Sequence, residues 1–120
     1  MKKNICVLED NDDIREIIEI ILQQEEYEVM SYATIEAFWK RPKTENPDMF
    51  VLDVMLPDGN GLEVCNELKS SASTNKIPVL IMSAHSNITT MRQKCNAEDF
   101  ISKPFDINDF VHRIDTFVRV

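Results

Sequence analysis

Short apolar segments of strand type alternate with segments of helical period along this chain. Such alternation is typical of a parallel α/β sheet, because each parallel strand needs a crossover connection and a helix usually supplies it. The predicted strands are Asn4–Leu8, Glu28–Tyr32, Met49–Asp53, Pro78–Met82 and Phe100–Lys103. Predicted helices begin after Asn11 or Asp12, at Ile35 with an end near Arg41, after the PDGNG turn, near Asn87 with an end at Cys95, and at Ile107. We therefore expect a doubly wound α/β fold, with five parallel strands and five helices, built as one domain from residues 1–120.

The charge and hydropathy of the chain exclude some classes of partner. The net charge is −8, so the domain would repel a phosphate backbone and we expect no direct binding to nucleic acid. No apolar run approaches the roughly 18 residues of a membrane span, so we expect no membrane contact. The start MKKNICVLED turns acidic too soon for a signal peptide, and we expect a cytoplasmic location.

The three cysteines form no recognisable motif. Cys6, Cys65 and Cys95 lie far apart and show no ligand spacing with each other or with histidine. We interpret them as small buried hydrophobic residues rather than as redox or metal-binding groups.

Polar side chains follow the predicted strands at one end of the sheet. Glu9 and Asp10 come after the first strand, Asp53 ends the third, and Ser83 and Lys103 stand at the ends of the fourth and fifth. Ligands of doubly wound sheets bind outside the carboxyl ends of the strands, so we expect these side chains to be neighbours. Three carboxylates in one place repel each other unless a cation lies among them.

All-oxygen ligands with few protein groups suit Mg²⁺ or Mn²⁺, which often bind together with a phosphoryl group. Lys103 and the Ser83 hydroxyl would then hold phosphoryl oxygens that the metal does not reach. The sequence thus predicts a phosphoryl site with Asp53 as the nucleophile.

Four motifs in order carry a family resemblance: LED at 8–10, VLDVMLPDGNGLE at 51–63, MSA at 82–84 and SKPF at 102–105. With them the chain resembles, from end to end, the receiver domain of a two-component response regulator, which has a flavodoxin-like fold. The resemblance implies that Asp53 is the phosphoacceptor and that Asp10 binds Mg²⁺ directly. It further implies that Glu9 acts on the metal through water and that the backbone carbonyl of Met55 is another metal ligand.

The same resemblance implies roles for residues around the phosphoryl group. Ser83 matches the hydroxyl residue that contacts it, and Lys103 matches the family's lysine, which precedes a cis proline. Phe100 falls on the switch aromatic, which turns inward when the hydroxyl residue shifts. Met55 and His85 occupy the positions that tune hydrolysis of the acyl phosphate.

Partners also follow from the resemblance. The phosphoryl donor would be phosphohistidine of a sensor histidine kinase or of a His-containing phosphotransfer protein. The domain would catalyse only its own phosphorylation and dephosphorylation, and would switch the surface of helix 4, strand 5 and helix 5 to control an output partner. A homodimer through that surface would pair Arg113 and Arg119 with Glu98 and Asp99 across the interface.

The chain departs from the family pattern at three places. The spacing from Ser83 to Lys103 is slightly shorter than usual, which shortens the fourth helix or the loop before it. Phe100 replaces a tyrosine and so lacks the hydroxyl that would form a hydrogen bond. Asn96 replaces a glycine, and we expect it to end the fourth helix in the left-handed conformation.

Other interpretations of these residues remain. Glu9 and Asp10 alone would suit the acidic first turn of a helix, and Asp53 alone would suit a turn, although Asp58 already supplies that turn chemistry. A phosphatase of the haloacid dehalogenase type would need a second aspartate where Met55 stands. A phosphorylation-independent interaction module is the other alternative, and the chain would act either alone or within a longer regulator.

Overall fold

One parallel sheet organises the chain, in a computed structural model that describes residues 2–42, 46–84 and 88–119. The strands are β1 (Asn4–Leu8), β2 (Glu28–Tyr32), β3 (Met49–Asp53), β4 (Val79–Ser83) and β5 (Asp99–Ser102), in the order β2-β1-β3-β4-β5. The helices are α1 (Asp12–Gln24), α2 (Ile35–Trp39), α3 (Gly61–Ser70), α4 (Ile88–Lys94) and α5 (Ile107–Val118). The predicted flavodoxin-like fold class is confirmed.

Each central strand is apolar on both faces because helices cover both faces. In β1, Ile5 and Val7 point into one hydrophobic cluster with α1 and α5, whose buried residues include Ile18 and Phe110. The other cluster contains Cys6 and Leu8 of β1 together with residues of α2, α3 and α4. The strand alternation thus divides the core into two halves, one on each side of the sheet.

Side chains fix the starts of α1, α2, α3 and α5, as N-caps normally do. Asn11 accepts a hydrogen bond from the Ile14 N–H at 3.0 Å, which starts α1 directly after the acidic pair. Thr34 accepts from the Ala37 N–H at 3.1 Å and starts α2, as predicted from its residue type. None of the helices within the described residues is both long and apolar enough to cross a membrane.

Some boundaries differ from the predictions. The second helix ends at Trp39 instead of near Arg41, and the last two strands start or end one residue away from the predicted positions. A short antiparallel hairpin, Met55–Leu56 with Gly59–Asn60, was not predicted. The predicted start of the fourth helix, Asn87, lies outside the described residues.

The prediction that Asn96 adopts the left-handed conformation is wrong, because its φ is not positive. The last carbonyls of α4 find other donors. The Cys95 N–H donates to the Met91 carbonyl at 3.3 Å, and the side-chain amide of Asn66 donates to the Lys94 carbonyl at 2.9 Å. A hydrogen bond from α3 therefore satisfies a helix end that a left-handed cap would otherwise satisfy.

Candidate phosphoryl and metal site

The sheet brings the predicted acidic residues together at the carboxyl ends of β1 and β3, which are neighbouring strands. Ligand oxygens of Glu9, Asp10 and Asp53 all lie within 4.8 Å of one another. Glu9 is fully buried, Asp53 is 7% exposed and Asp10 is exposed. The cluster therefore has two carboxylates in the protein interior and one at the solvent edge.

Lys103 supplies the positive charge of this cluster. Its ammonium contacts the Glu9 carboxylate, and its Nζ lies 3.3 Å from Oδ2 of Asp53. The backbone N–H of Lys103 donates to the Ser83 carbonyl at 2.7 Å, which extends the pairing of β4 and β5 by one residue. The bond between Lys103 and Pro104 is cis, as the resemblance implied. One ammonium thus faces two buried carboxylates.

This charge imbalance changes the pKa of Asp53. Burial, followed by repulsion from Glu9, raises the pKa of Asp53 to about 7, although Lys103 acts in the opposite direction. Oδ1 of Asp53 accepts a hydrogen bond from the Val54 N–H at 2.9 Å, which fixes the orientation of the carboxylate. A carboxylate with this surplus of negative charge favours a bound cation.

Glu9 is held at both its side chain and its backbone. Its Oε2 accepts from the Asn11 N–H at 3.1 Å, and its carbonyl accepts from the Arg15 guanidinium at 3.0 Å. The residue that caps α1 therefore also positions the deepest carboxylate. The alternative that Glu9 is only an acidic residue at the start of a helix does not account for its complete burial.

The other predicted site residues lie at different depths. Glu9, Asp10, Asp53 and Lys103 line a cavity of about 740 Å³. Ser83 is 1% exposed and also lines this cavity, whereas Met55 is 63% exposed at its mouth. Phe100 does not line the cavity; it is 3% exposed and packs in the cluster that holds α3 and α4. The Arg92 guanidinium lies 5.3 Å from the centre of the Phe100 ring. His85 lies outside the described residues.

Two residues of the PDGNG turn have roles that sequence reasoning did not identify. A Cβ on Gly61 would lie 1.9 Å from the carbonyl oxygen of Asp53, so only glycine permits α3 to start there. Asp58 lies in the turn, as expected. Its carboxylate also accepts from the N–H groups of Ile35 and Glu36, at 2.9 and 3.0 Å. These hydrogen bonds connect the loop after Asp53 to the start of α2, where negative charge is favoured.

The charged groups predicted to form a dimer interface have partners within the chain. Nη1 of Arg113 lies 3.1 Å from Oδ1 of Asp99, and Nζ of Lys69 lies 2.8 Å from Oε2 of Glu98. Arg119 lies 3.7 Å from Asp115 on its own helix. Pairing across an interface would therefore require these groups to exchange partners.

Comparison with known proteins identifies this arrangement. The model of the response regulator receiver domain matches residues 5–115. The chain belongs to the response regulator receiver domain family. It is the receiver domain of a two-component response regulator, a signalling domain rather than an enzyme of the ordinary kind.

This receiver domain is similar to larger regulators. It is 31% identical to the alkaline phosphatase synthesis transcriptional regulatory protein PhoP of Bacillus subtilis, over 99% of this chain and 50% of that protein. It resembles the structure of DrrB of Thermotoga maritima, an OmpR/PhoB homolog, with 28% identity and a TM-score of 0.88, over 99% of this chain and 54% of that one. The receiver domain spans about half the length of the curated relatives it matches.

A solved structure that contains Mg²⁺ is also similar. The response regulator TrrA of Thermotoga maritima, in complex with Mg²⁺-BeF, has 25% identity and a TM-score of 0.84, over 96% of this chain and 98% of that chain. Receiver domains bind Mg²⁺ at an acidic pocket, and the cluster of Glu9, Asp10 and Asp53 carboxylates is consistent with such a pocket.

Proposed function

We propose that this receiver domain accepts a phosphoryl group on Asp53 from phosphohistidine of a sensor histidine kinase or a His-containing phosphotransfer protein. The observation that carries the proposal is the position of the Asp53 carboxylate. It is 7% exposed, 3.3 Å from Lys103 Nζ, and within 4.8 Å of the carboxylates of Glu9 and Asp10. A nucleophile fixed in this way needs little reorganisation before attack.

Each step of the transfer uses a group of this site. An oxygen of Asp53 attacks phosphorus in line, the bond from phosphorus to the histidine nitrogen breaks, and imidazole leaves. The Lys103 ammonium and the Ser83 hydroxyl hold the phosphoryl oxygens as charge develops on them. The product is an acyl phosphate on Asp53, and exposed Met55 at the cavity mouth, with His85, would tune its hydrolysis.

The donor set of the site fits a hard divalent cation. Carboxylate and carbonyl oxygens suit Mg²⁺ or Mn²⁺, and the raised pKa of Asp53 indicates uncompensated negative charge at this position. We assign Asp10, Asp53 and the Met55 carbonyl as direct ligands, with Glu9 acting through water. When bound, the metal would neutralise charge on the transferred phosphoryl group.

The surface around the cavity suits a protein donor. Ile17 of α1 and Ile107 of α5 line the cavity and are 51% and 52% exposed, and Met55 is also exposed. Large exposed apolar side chains beside a reactive group favour docking of another protein surface. A phosphohistidine carried on such a surface would then reach Asp53.

The output surface is proposed to be α4, β5 and α5, with a homodimer through these elements. Phe100 on β5 is already buried, so its part in switching would be a change of packing rather than of hydrogen bonding. Residues 1–120 would form a single domain that acts alone or regulates a longer protein. Light scattering with and without phosphorylation would show whether the mass doubles.

Intact mass measured after incubation with Mg²⁺ and acetyl phosphate tests the proposed acceptor. We expect one added phosphoryl group on the native chain, none without the metal, and none on Asp53→Asn. Asp13→Asn is the matched control, since Asp13 is an exposed carboxylate of the first turn of α1. If the native chain binds Mg²⁺ but gains no phosphoryl group, the domain acts as a phosphorylation-independent interaction module.

A further inference from the structure

Two of the three cysteines lie against each other between α3 and the end of α4. Cys65 and Cys95 are free and buried, at 0% and 5% exposure, in the same hydrophobic cluster. Their thiols share a hydrogen bond. The residues next to them are also bonded, since the Asn66 side-chain amide donates to the Lys94 carbonyl at 2.9 Å. These two adjacent contacts thus hold the two thiols next to each other.

The hydrogen bonds make the two thiols unequal. The Cys95 sulfur accepts from the Cys65 thiol and from the Ala97 N–H, and the bond from Cys65 is the main reason why the pKa of Cys95 is lowered. The same bond, together with burial, raises the pKa of Cys65. Cys95 is 5% exposed, whereas Cys65 is 0% exposed, so a peroxide reaches Cys95 first. Since the thiolate is the reactive form, the Cys95 thiolate is the nucleophile of the pair.

We propose that Cys65 and Cys95 form a reversible redox pair, in which hydrogen peroxide oxidises Cys95 and Cys65 then closes a disulfide between α3 and the end of α4. In the first step the Cys95 thiolate attacks one peroxide oxygen, the O–O bond breaks, and the leaving hydroxide takes a proton to become water. Cys95 is then a sulfenic acid, oxidised by two electrons.

In the second step the Cys65 sulfur gives up its proton and attacks the Cys95 sulfur. The S–S bond forms, the S–O bond breaks, and the leaving oxygen departs as a second water. Two thiols and one peroxide thereby yield one disulfide and two waters. A dithiol reductant reverses the reaction, so the disulfide persists only while oxidant is present.

The position of the pair gives the disulfide a structural effect. Met91 of α4 and Phe100 of β5 belong to the same hydrophobic cluster as both cysteines. A covalent bond from α3 to the end of α4 would therefore restrain the helix beside the strand that carries Phe100. The redox pair does not involve Asp53, so it stands independently of phosphorylation.

Peptide mapping of the native protein after hydrogen peroxide treatment and alkylation tests the proposal. We expect a mass lower by two hydrogens, one cross-linked peptide that joins Cys65 to Cys95, and return of both thiols with dithiothreitol. Cys6→Ala is the matched control and should form the same disulfide, because Cys6 lies in β1 and burial raises the pKa of its thiol to about 12. Cys95→Ala should form none, and Cys65→Ala should leave a sulfenic acid on Cys95 that dimedone traps.

Three outcomes would overturn the proposal: a disulfide that includes Cys6, a cross-link that forms only in denaturant, or dimedone labelling of Cys65 in place of Cys95. The measurement on the native chain needs no variant, so it remains decisive even where a cysteine substitution unfolds the protein. It also involves no phosphodonor, and its failure is therefore distinct from failure of phosphorylation at Asp53.

Discussion

Replacement of Asp53 by asparagine should stabilise the metal-free protein, because the site has more negative than positive charge. In the folded chain the pKa of Asp53 is about 7, compared with an ordinary value of 3.8. That difference corresponds to at most about 4 kcal/mol lost on folding at neutral pH. Solvent at the open edge of the site reduces the value, and we expect Asp53→Asn to gain about 2 kcal/mol. For a domain of this size the gain raises the melting temperature by roughly 8 °C.

The pH dependence gives the sign of the effect. Below the ordinary pKa of 3.8, Asp53 is protonated in both states and costs nothing. As pH rises from about 4 to about 7, the unfolded chain releases this proton while the folded chain retains it, so the native protein loses stability relative to Asp53→Asn. Above about pH 7 the loss is complete and the difference stays constant.

Urea unfolding followed by circular dichroism, without and with Mg²⁺, measures this difference. Mg²⁺ should stabilise the native chain and close the gap, because it binds the folded state. Asp13→Asn is the matched control: it removes the same charge, but its carboxylate is exposed in the first turn of α1 and outside the cluster, so we expect a change within about 0.5 kcal/mol. The reasoning fails if Asp53→Asn is no more stable than the native chain at about pH 8, or if its advantage persists at about pH 3.

Three further substitutions test other parts of the site and its supports. Lys103→Ala should destabilise the metal-free protein by about 3 kcal/mol, since it leaves buried carboxylates without their ammonium, and an unchanged urea midpoint would contradict this. Gly61→Ala should cost at least about 2 kcal/mol and slow phosphorylation of Asp53, measured by intact mass, because the new Cβ displaces the Asp53 carbonyl; Glu63→Ala on the same helix should do neither. Thr34→Ala should cost about 1 kcal/mol through loss of the α2 cap, and equal thermal midpoints would show that the cap is dispensable.

Much of the fold could be predicted because its signals are local. In the segment Asn4–Leu8 every residue after Asn4 is apolar, as expected of a strand covered on both faces, and the bounds of the strand were predicted correctly. The gathering of Glu9, Asp53 and Lys103 was also predictable, because parallel strands end at the same edge of the sheet. The assignment of chemical roles to these residues remains a prediction.

The features that escaped prediction depend on contacts between distant segments. Asp58 binds the start of α2 from 23 residues away in the sequence, and no residue pattern indicates this contact. The need for glycine at Gly61 comes from the approach of α3 to Asp53, which only the packed structure shows. The Asn96 error has the same origin, since the donor that serves the end of α4 comes from α3.

The ion pair between Glu9 and Lys103 joins positions 94 residues apart, which are the residue after β1 and the residue after β5. Contacts of such sequence separation form late, because the loop between them must close first. During synthesis Glu9 leaves the ribosome long before Lys103, and β5 can join the sheet only after β4. The charge cluster around Asp53 is therefore complete only after Lys103 has emerged. A nascent chain, or one truncated before Lys103, would carry Asp53 without the Lys103 ammonium. The complete site is therefore present only in a receiver domain that has finished folding.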